Sequence, residues 1–565
     1  MKTIISYLKK DVFLIFAILV LSNPALPQEA MSMNWEGFFM NDFRTSILLV
    51  KSMDGKLTGS IRMHAGSELI QDDELSEVSI ADRQMKFYIE AKQTRFEGHL
   101  SEDQSSLEGE FTFPDGSLHP FSAQRKKEGP DTGDKGTKSR ADAALLSEEE
   151  MQADLESLSE ILKENHPRLY AHTSEAALDQ ALSLSNSGND TALTTESFYI
   201  IVAGILEKIG CSHTVARIDP DYRSSLEKRP TYLPIHVYAD PEGLYYLSSV
   251  RPEKGSLQPG CKILSINGRS SGEIRNEILD LISSECRRST GKYNYLNKNF
   301  NFYYFLLDPA DAFTIQYEVG TSSGEITLPA VAFRELIAEN RIEAGKSPRH
   351  SDPVPPLEFH LDSLYSIPML RIPSFEIRDM EAYLFELDRI FSYLREFHCG
   401  DLVLDLRDNA GGHPIFAAQL LSYLTEKEFT YFTRNPEIPD FEALYHPMAP
   451  SENHFQGTLF VLVNGGCLST TGHLLSLIKY HTKAIFIGES PGSTYRCNDF
   501  SFQVSLPNSR IEVNIPRTTF ITALPDRERK EEFEPDYSIH LNVSDLQGDK
   551  DPYLQAVYDI LSSKS

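Results

Sequence analysis

The stretch that most restricts this chain is Thr458 to Ser493, where an apolar strand runs through a glycine turn into a helix opening with hydroxyls, and a second strand follows. Leu459 to Val463 are apolar without alternation. A run of that kind suits a strand buried on both faces, and hence a parallel sheet covered by helices. Asn464-Gly465-Gly466 is turn chemistry, and the helix is predicted to begin near Leu468. Ser469, Thr470 and Thr471 then fall where backbone N–H groups lack intrahelical acceptors and the helix dipole favours negative charge. Such a place suits an oxyanion, with Ser469 as the natural nucleophile. Three hydroxyls that merely cap a helix would read the same way, so corroboration has to come from elsewhere in the chain.

With 565 residues the chain is too long for one core, and roughly 100 to 200 residues per domain gives several. The formal net charge of −28 argues against nucleic acid and anionic lipid as partners. Lys2, Lys9 and Lys10 precede the apolar run Val12 to Leu21, the layout of a secretory signal over residues 1–29. Export to the periplasm or beyond is therefore expected, with an uncleaved signal as the one route to membrane anchoring. The six cysteines are scattered, with no CxxC and no metal-ligand spacing. No disulfide framework, metal or cofactor is expected, and Cys467 reads as a small buried hydrophobe beside Ser469.

Residues 33–126 show short strands with glycine turns at roughly ten-residue spacing, the pattern of an antiparallel β-barrel, lipocalin-like in outline. Residues 127–146 are charged and without apolar periodicity, a linker. A helical segment is predicted over 147–228, starting at Ser147 and placing His213 in a turn between a helix and a strand. Across 229–335 the pattern is β-rich, and Pro259-Gly260, a strand, Asn267-Gly268 and a helix resemble part of a PDZ domain. From 336 to 565 strands alternate with helices, so the chain as a whole is multidomain α/β. Phe500 to Leu506 and Arg510 to Asn514 form a hairpin in this reading.

Four pieces stand in order in the last segment: Asp405 to Gly412 (DLRDNAGG), Val463-Asn464 with Cys467-Leu468-Ser469, Ile487-Gly488-Glu489, and Glu534-Pro535-Asp536. Together they resemble the tail-specific, or C-terminal processing, serine peptidases. The resemblance implies a ClpP/crotonase-like catalytic domain with a helical N-terminal cap, and hydrolysis of peptide or protein substrates. One branch of that family uses a lysine after the Gly-Glu pair as base, but Gly488 to Thr494 contains none and Lys483 comes too early. The tricorn-like branch uses a histidine, and Gly210-Cys211-Ser212-His213-Thr214 is similar to its motif.

That resemblance makes His213 the general base, a task that imidazole suits near neutral pH. It also implies Ser212 and a distant glutamate as the relay behind the histidine, with Glu528 the best placed among Asp526, Glu531 and Glu532. The oxyanion hole would join the N–H of Thr470 to that of Gly411 or Gly412. His166 and His473 are expected to be structural. The rival reading is a catalytically inactive protein that keeps the fold and binds peptides or glycans. Oligomeric state is not legible in any motif.

Overall fold

A computed structural model describes residues 31–39, 43–51, 57–65, 68–101, 104–113, 118–125, 145–183, 192–250, 257–336, 357–362, 364–377, 379–435, 439–548 and 550–564. The signal over 1–29 lies outside the described residues, as does most of the 127–146 linker. The chain divides into two units, residues 1–138 and 139–565.

In the first unit eight strands, from Met31–Phe39 to Leu118–Arg125, close into a barrel by antiparallel neighbour pairing, the first strand pairing with the last. Alternation explains the closure: along Thr94–Leu100 every second residue is buried and every other one exposed. The inward set includes Trp35, Phe87, Phe96, Phe111 and Phe121, and the ring centroids of Phe96 and Phe111 lie 4.8 Å apart. The interior is thus a packed aromatic core.

In the second unit the central sheet orders its strands as Glu358–Leu361, Pro368–Arg371, Asp401–Asp405, Thr458–Val463, Ile485–Gly488 and Tyr537–Ser538. Only the first pair is antiparallel. Both faces are covered, which is why Leu459 to Val463 need no alternation. Leu459, Val461 and Val463 face the helices Met380–Glu396, Pro414–Ser422 and Thr470–His481, whereas Phe460 and Leu462 pack with Tyr553 and Val557 of the helix Pro552–Lys564.

A second, antiparallel sheet contains Ile235–Asp240, Gly243–Ser249, Lys262–Ile266, Ala312–Val319 and Ser322–Pro329. Asn267 and Gly268 both take positive φ, 51° and 79°, as a tight hairpin turn demands, and the helix Ser271–Leu279 follows a capping box at Ser270. The sheet shares one continuous core with the helices Glu148–Asn165 and Thr195–Glu207.

That core also takes in Leu506, Ile511, Val513 and Ile515 from the hairpin Phe502–Ser505 and Glu512–Ile515. The short strand Val215–Arg217, just after His213, pairs antiparallel with Glu512–Asn514. Fully buried Asp154 braces the same junction. It accepts the N–H groups of Asn508 and Ser509, each at 2.8 Å, and the side-chain amide of Asn508. Asp154→Ala would strand those donors, so a loss of about 2–4 kcal/mol is expected in urea denaturation, with a smaller loss for Asp154→Asn.

Candidate active site

Parallel strands that lie side by side end at the same edge of their sheet, so the loops that follow them meet there. The loop after Asp401–Asp405 carries Asp408 to Gly412, and the loop after Thr458–Val463 carries the turn into Ser469. Asn409 laces the two together. Its carbonyl accepts the Leu468 N–H at 3.1 Å, and its Oδ1 accepts both the Thr471 hydroxyl and the Gly411 N–H. The Thr470 hydroxyl donates in turn to the Gly412 carbonyl.

Ser469 does not cap its helix: its side chain accepts no backbone N–H, and its backbone sits at φ 51°, ψ −123°. That conformation is disfavoured for a residue with a Cβ and costs on the order of 1–3 kcal/mol. It turns the hydroxyl away from the helix end, where Oγ lies 3.9 Å from Cys497 Sγ. The capping explanation for the three hydroxyls therefore does not hold at Ser469.

Of the two candidate glycine donors, Gly411 has given its N–H to Asn409. The N–H of Gly412 points to no acceptor among the described residues, and neither does that of Thr470. Both glycines have positive φ, and a Cβ on Gly412 would meet the backbone of Phe375 at 2.2 Å. Only glycine fits there.

His213 is brought to the same place by the pairing of Val215–Arg217 with the hairpin, and the Asn514 amide donates to its carbonyl at 2.6 Å. Its Nε2 is 3.5 Å from Asp499 Oδ2. Cys497 and Asp499 are alternate residues of the strand Arg496–Asp499, so Ser469 and His213 face neighbouring positions on one side of it, about 6.5 Å apart along the backbone. Ser469 and His213 do not hydrogen-bond to one another.

At the other ring nitrogen, Ser212 Oγ lies 3.2 Å from Nδ1. Behind it stands Glu285, 4% exposed, whose Oε2 accepts the Ser212 hydroxyl at 3.3 Å and its N–H at 3.4 Å. Burial raises the Glu285 carboxyl above its ordinary range, with His213 and Ser212 acting against that rise. The expected acid, Glu528, is not brought to His213. It sits in an exposed one-turn helix, Asp526–Glu528, with its carboxylate against Arg527. Among its neighbours, Asp526 pairs with Arg529, and Glu531 pairs with Arg496 and accepts the Cys286 thiol.

The remaining expected structural residues are interior. His166 accepts the Arg168 N–H at Nδ1, so its Nε2–H donates to the Thr214 hydroxyl and steadies the turn that holds His213. Burial pushes its pKa down to about 4. His473, one turn behind Ser469, has neither ring nitrogen hydrogen-bonded and packs edge-on against Phe432, its pKa pushed down to about 3 by burial. Burial drives the Cys467 thiol up to about 12, as befits a hydrophobe. Among the described residues no cluster of His, Cys, Asp or Glu could hold a metal ion, and no helix is long and apolar enough to cross a membrane.

Residues 366–539, which span five of the six strands of the central sheet, the glycine loop and the Ser469 turn, match the family model for peptidase family S41. The chain is a serine-type peptidase. The matched segment is that of a family S41 peptidase, and its substrates are peptides or proteins. No curated protein matches its sequence. Among solved structures it is similar to mature CPAF, with 13% identity over 71% of this chain and 94% of that one at a TM-score of 0.49. It is also similar to the photosystem II D1 C-terminal processing protease, with 13% identity over 70% and 96% at 0.35. The tricorn protease follows, with 13% identity over 93% and 44% at 0.35. Likenesses that slight assign no residue its role.

Both interior histidines are neutral when folded and would take protons near pH 6.5 when unfolded. Their stabilising share is complete above that pH and is lost as pH falls from about 6.5 toward 4 and 3. Denaturation midpoints should accordingly drop between pH 7 and pH 5. His473→Leu should lessen that drop and leave the chain at least as stable at pH 7, since it removes two unpaired buried nitrogens.

Proposed function

We propose that this peptidase is an exported endopeptidase that works through an acyl-enzyme on Ser469, with His213 as its general base. The observation that carries the reading is the meeting of Ser469 and His213 on one face of the strand Arg496–Asp499. Export rests on the charged and apolar layout of Lys2 to Leu21.

For reaction, His213 Nε2 leaves Asp499 and takes the Ser469 proton as Oγ adds to the substrate carbonyl. The oxygen that becomes negative is received by the N–H groups of Thr470 and Gly412, with the start of the helix Thr470–His481 adding its dipole. The imidazolium then protonates the leaving amine, and water repeats the sequence against the acyl group. Ser212 holds the ring from Nδ1. Gly411 contributes by having no side chain next to the Ser469 Cβ. The β-rich segment 229–335, read as PDZ-like, serves to position substrate, and neither it nor the barrel 33–126 supplies a reacting group.

The binding-only alternative is not favoured by the family match, and covalent labelling decides between them. A fluorophosphonate should label the folded chain at Ser469, and Ser469→Ala should abolish both labelling and peptide hydrolysis. His213→Ala should slow hydrolysis roughly 10²- to 10⁴-fold. Exposed Lys483, replaced by Ala, should leave the rate near that of the unaltered chain. Equal losses at Lys483 and His213 would overturn the choice of base. A chain beginning at Leu145 should retain hydrolysis of a short peptide.

A further inference from the structure

The neutral imidazole of His213 has one N–H and two oxygens competing for it. At Nε2, Asp499 favours a proton on the nitrogen that has to be bare if it is to act as a base. At Nδ1, the Ser212 hydroxyl has a single hydrogen and two claims on it, Nδ1 itself and Glu285 Oε2. Glu285 is buried, and the donors that reach its carboxylate are the hydroxyl and N–H of Ser212. A buried carboxylate deprived of one of two donors loses more than a neutral ring nitrogen does. The Ser212 hydrogen therefore goes to Glu285, its oxygen is left as an acceptor, and the His213 proton is drawn to Nδ1.

We propose that Glu285, acting through the Ser212 hydroxyl, is the positioning residue that keeps the His213 proton on Nδ1 and so leaves Nε2 free as the base. The inference rests on the reading of His213 given above. Glu285 comes from the turn between the helices Ser271–Leu279 and Ser289–Leu307, not from the loop after the nucleophile. That turn is pinned beside His213 because the Cys286 N–H donates to the Gly210 carbonyl at 2.9 Å. The other groups around Glu285 are Glu531, whose charge acts against its ionisation, the buried thiols Cys211 and Cys497, and the half-buried thiol Cys286. Protonated Glu285 would donate to Ser212, turn the Ser212 hydrogen to Nδ1 and hand Nε2 back to Asp499. Acid thus switches off the base at a group one hydrogen bond removed from it.

The test uses the full chain labelled with ¹⁵N-histidine, in which nitrogen shifts report the His213 tautomer, together with kcat and KM on a fluorogenic peptide. Glu285→Gln should move the proton toward Nε2 and lower kcat about tenfold or more, with KM little changed and one ionisation removed from the acid limb of kcat/KM. Ser212→Ala should do the same, and adding Glu285→Gln to it should cost nothing further. A His213 proton that stays on Nδ1 in both variants, or losses that multiply when the two are combined, would overturn the proposal. Should Glu285→Gln not fold, the tautomer in Ser212→Ala decides. Failure of Ser469 to take the fluorophosphonate in the unaltered chain would count against the proposed function instead, and the tautomer measurement would still stand.

Discussion

Three residues of strand pairing, Val215–Arg217 against Glu512–Asn514, hold the two halves of the site together. The backbone bonds of so short a ladder are worth about 1 kcal/mol each net. Fully burying Leu506, Ile511, Val513 and Ile515 contributes about 1.5–3 kcal/mol per side chain. The apolar core therefore supplies the stability of the junction and the ladder supplies its register. Register matters more for chemistry, because a slip of one residue would turn the strand over and carry His213 away from Arg496–Asp499.

The Ser469 side is built differently, by lacing rather than by burial alone. Ser469 is held in a backbone conformation it would not choose. What opposes its relaxation is the set of bonds from Asn409 and Thr470 into the glycine loop. The same bonds fix which donors remain: Asn409 occupies the N–H of Gly411, and those of Gly412 and Thr470 are left without an acceptor among the described residues. Strain and pre-organised donors are thus two results of one network.

Much of this was legible in the sequence because it depends on local pattern. The unalternated run Leu459 to Val463 encodes burial on two faces, and the turn and hydroxyls after it encode a helix start at a sheet edge. What was not legible depends on burial acquired only in the folded chain. Glu528 stands in an acidic loop and Glu285 between Ser284 and Cys286, and no periodicity or spacing separates the solvated carboxylate from the buried one. Asp499 was equally silent, since its meaning comes from His213, which reaches it only in the folded chain. Nor does a pair of adjacent glycines reveal which of their N–H groups is already in use. The pairing of Val215–Arg217 was missed because three residues are too few to show alternation.

The aromatic filling of the N-terminal barrel has a consequence of its own. A barrel of eight strands has room for one small ligand only if its interior is left partly empty, and here Trp35 and four phenylalanines occupy it. The part of the interior that these side chains line is filled. On its outer wall Lys86 and Glu97 form an exposed pair across neighbouring strands. Exchanging these interior residues therefore alters how firmly the barrel stands and leaves that outer wall as it is.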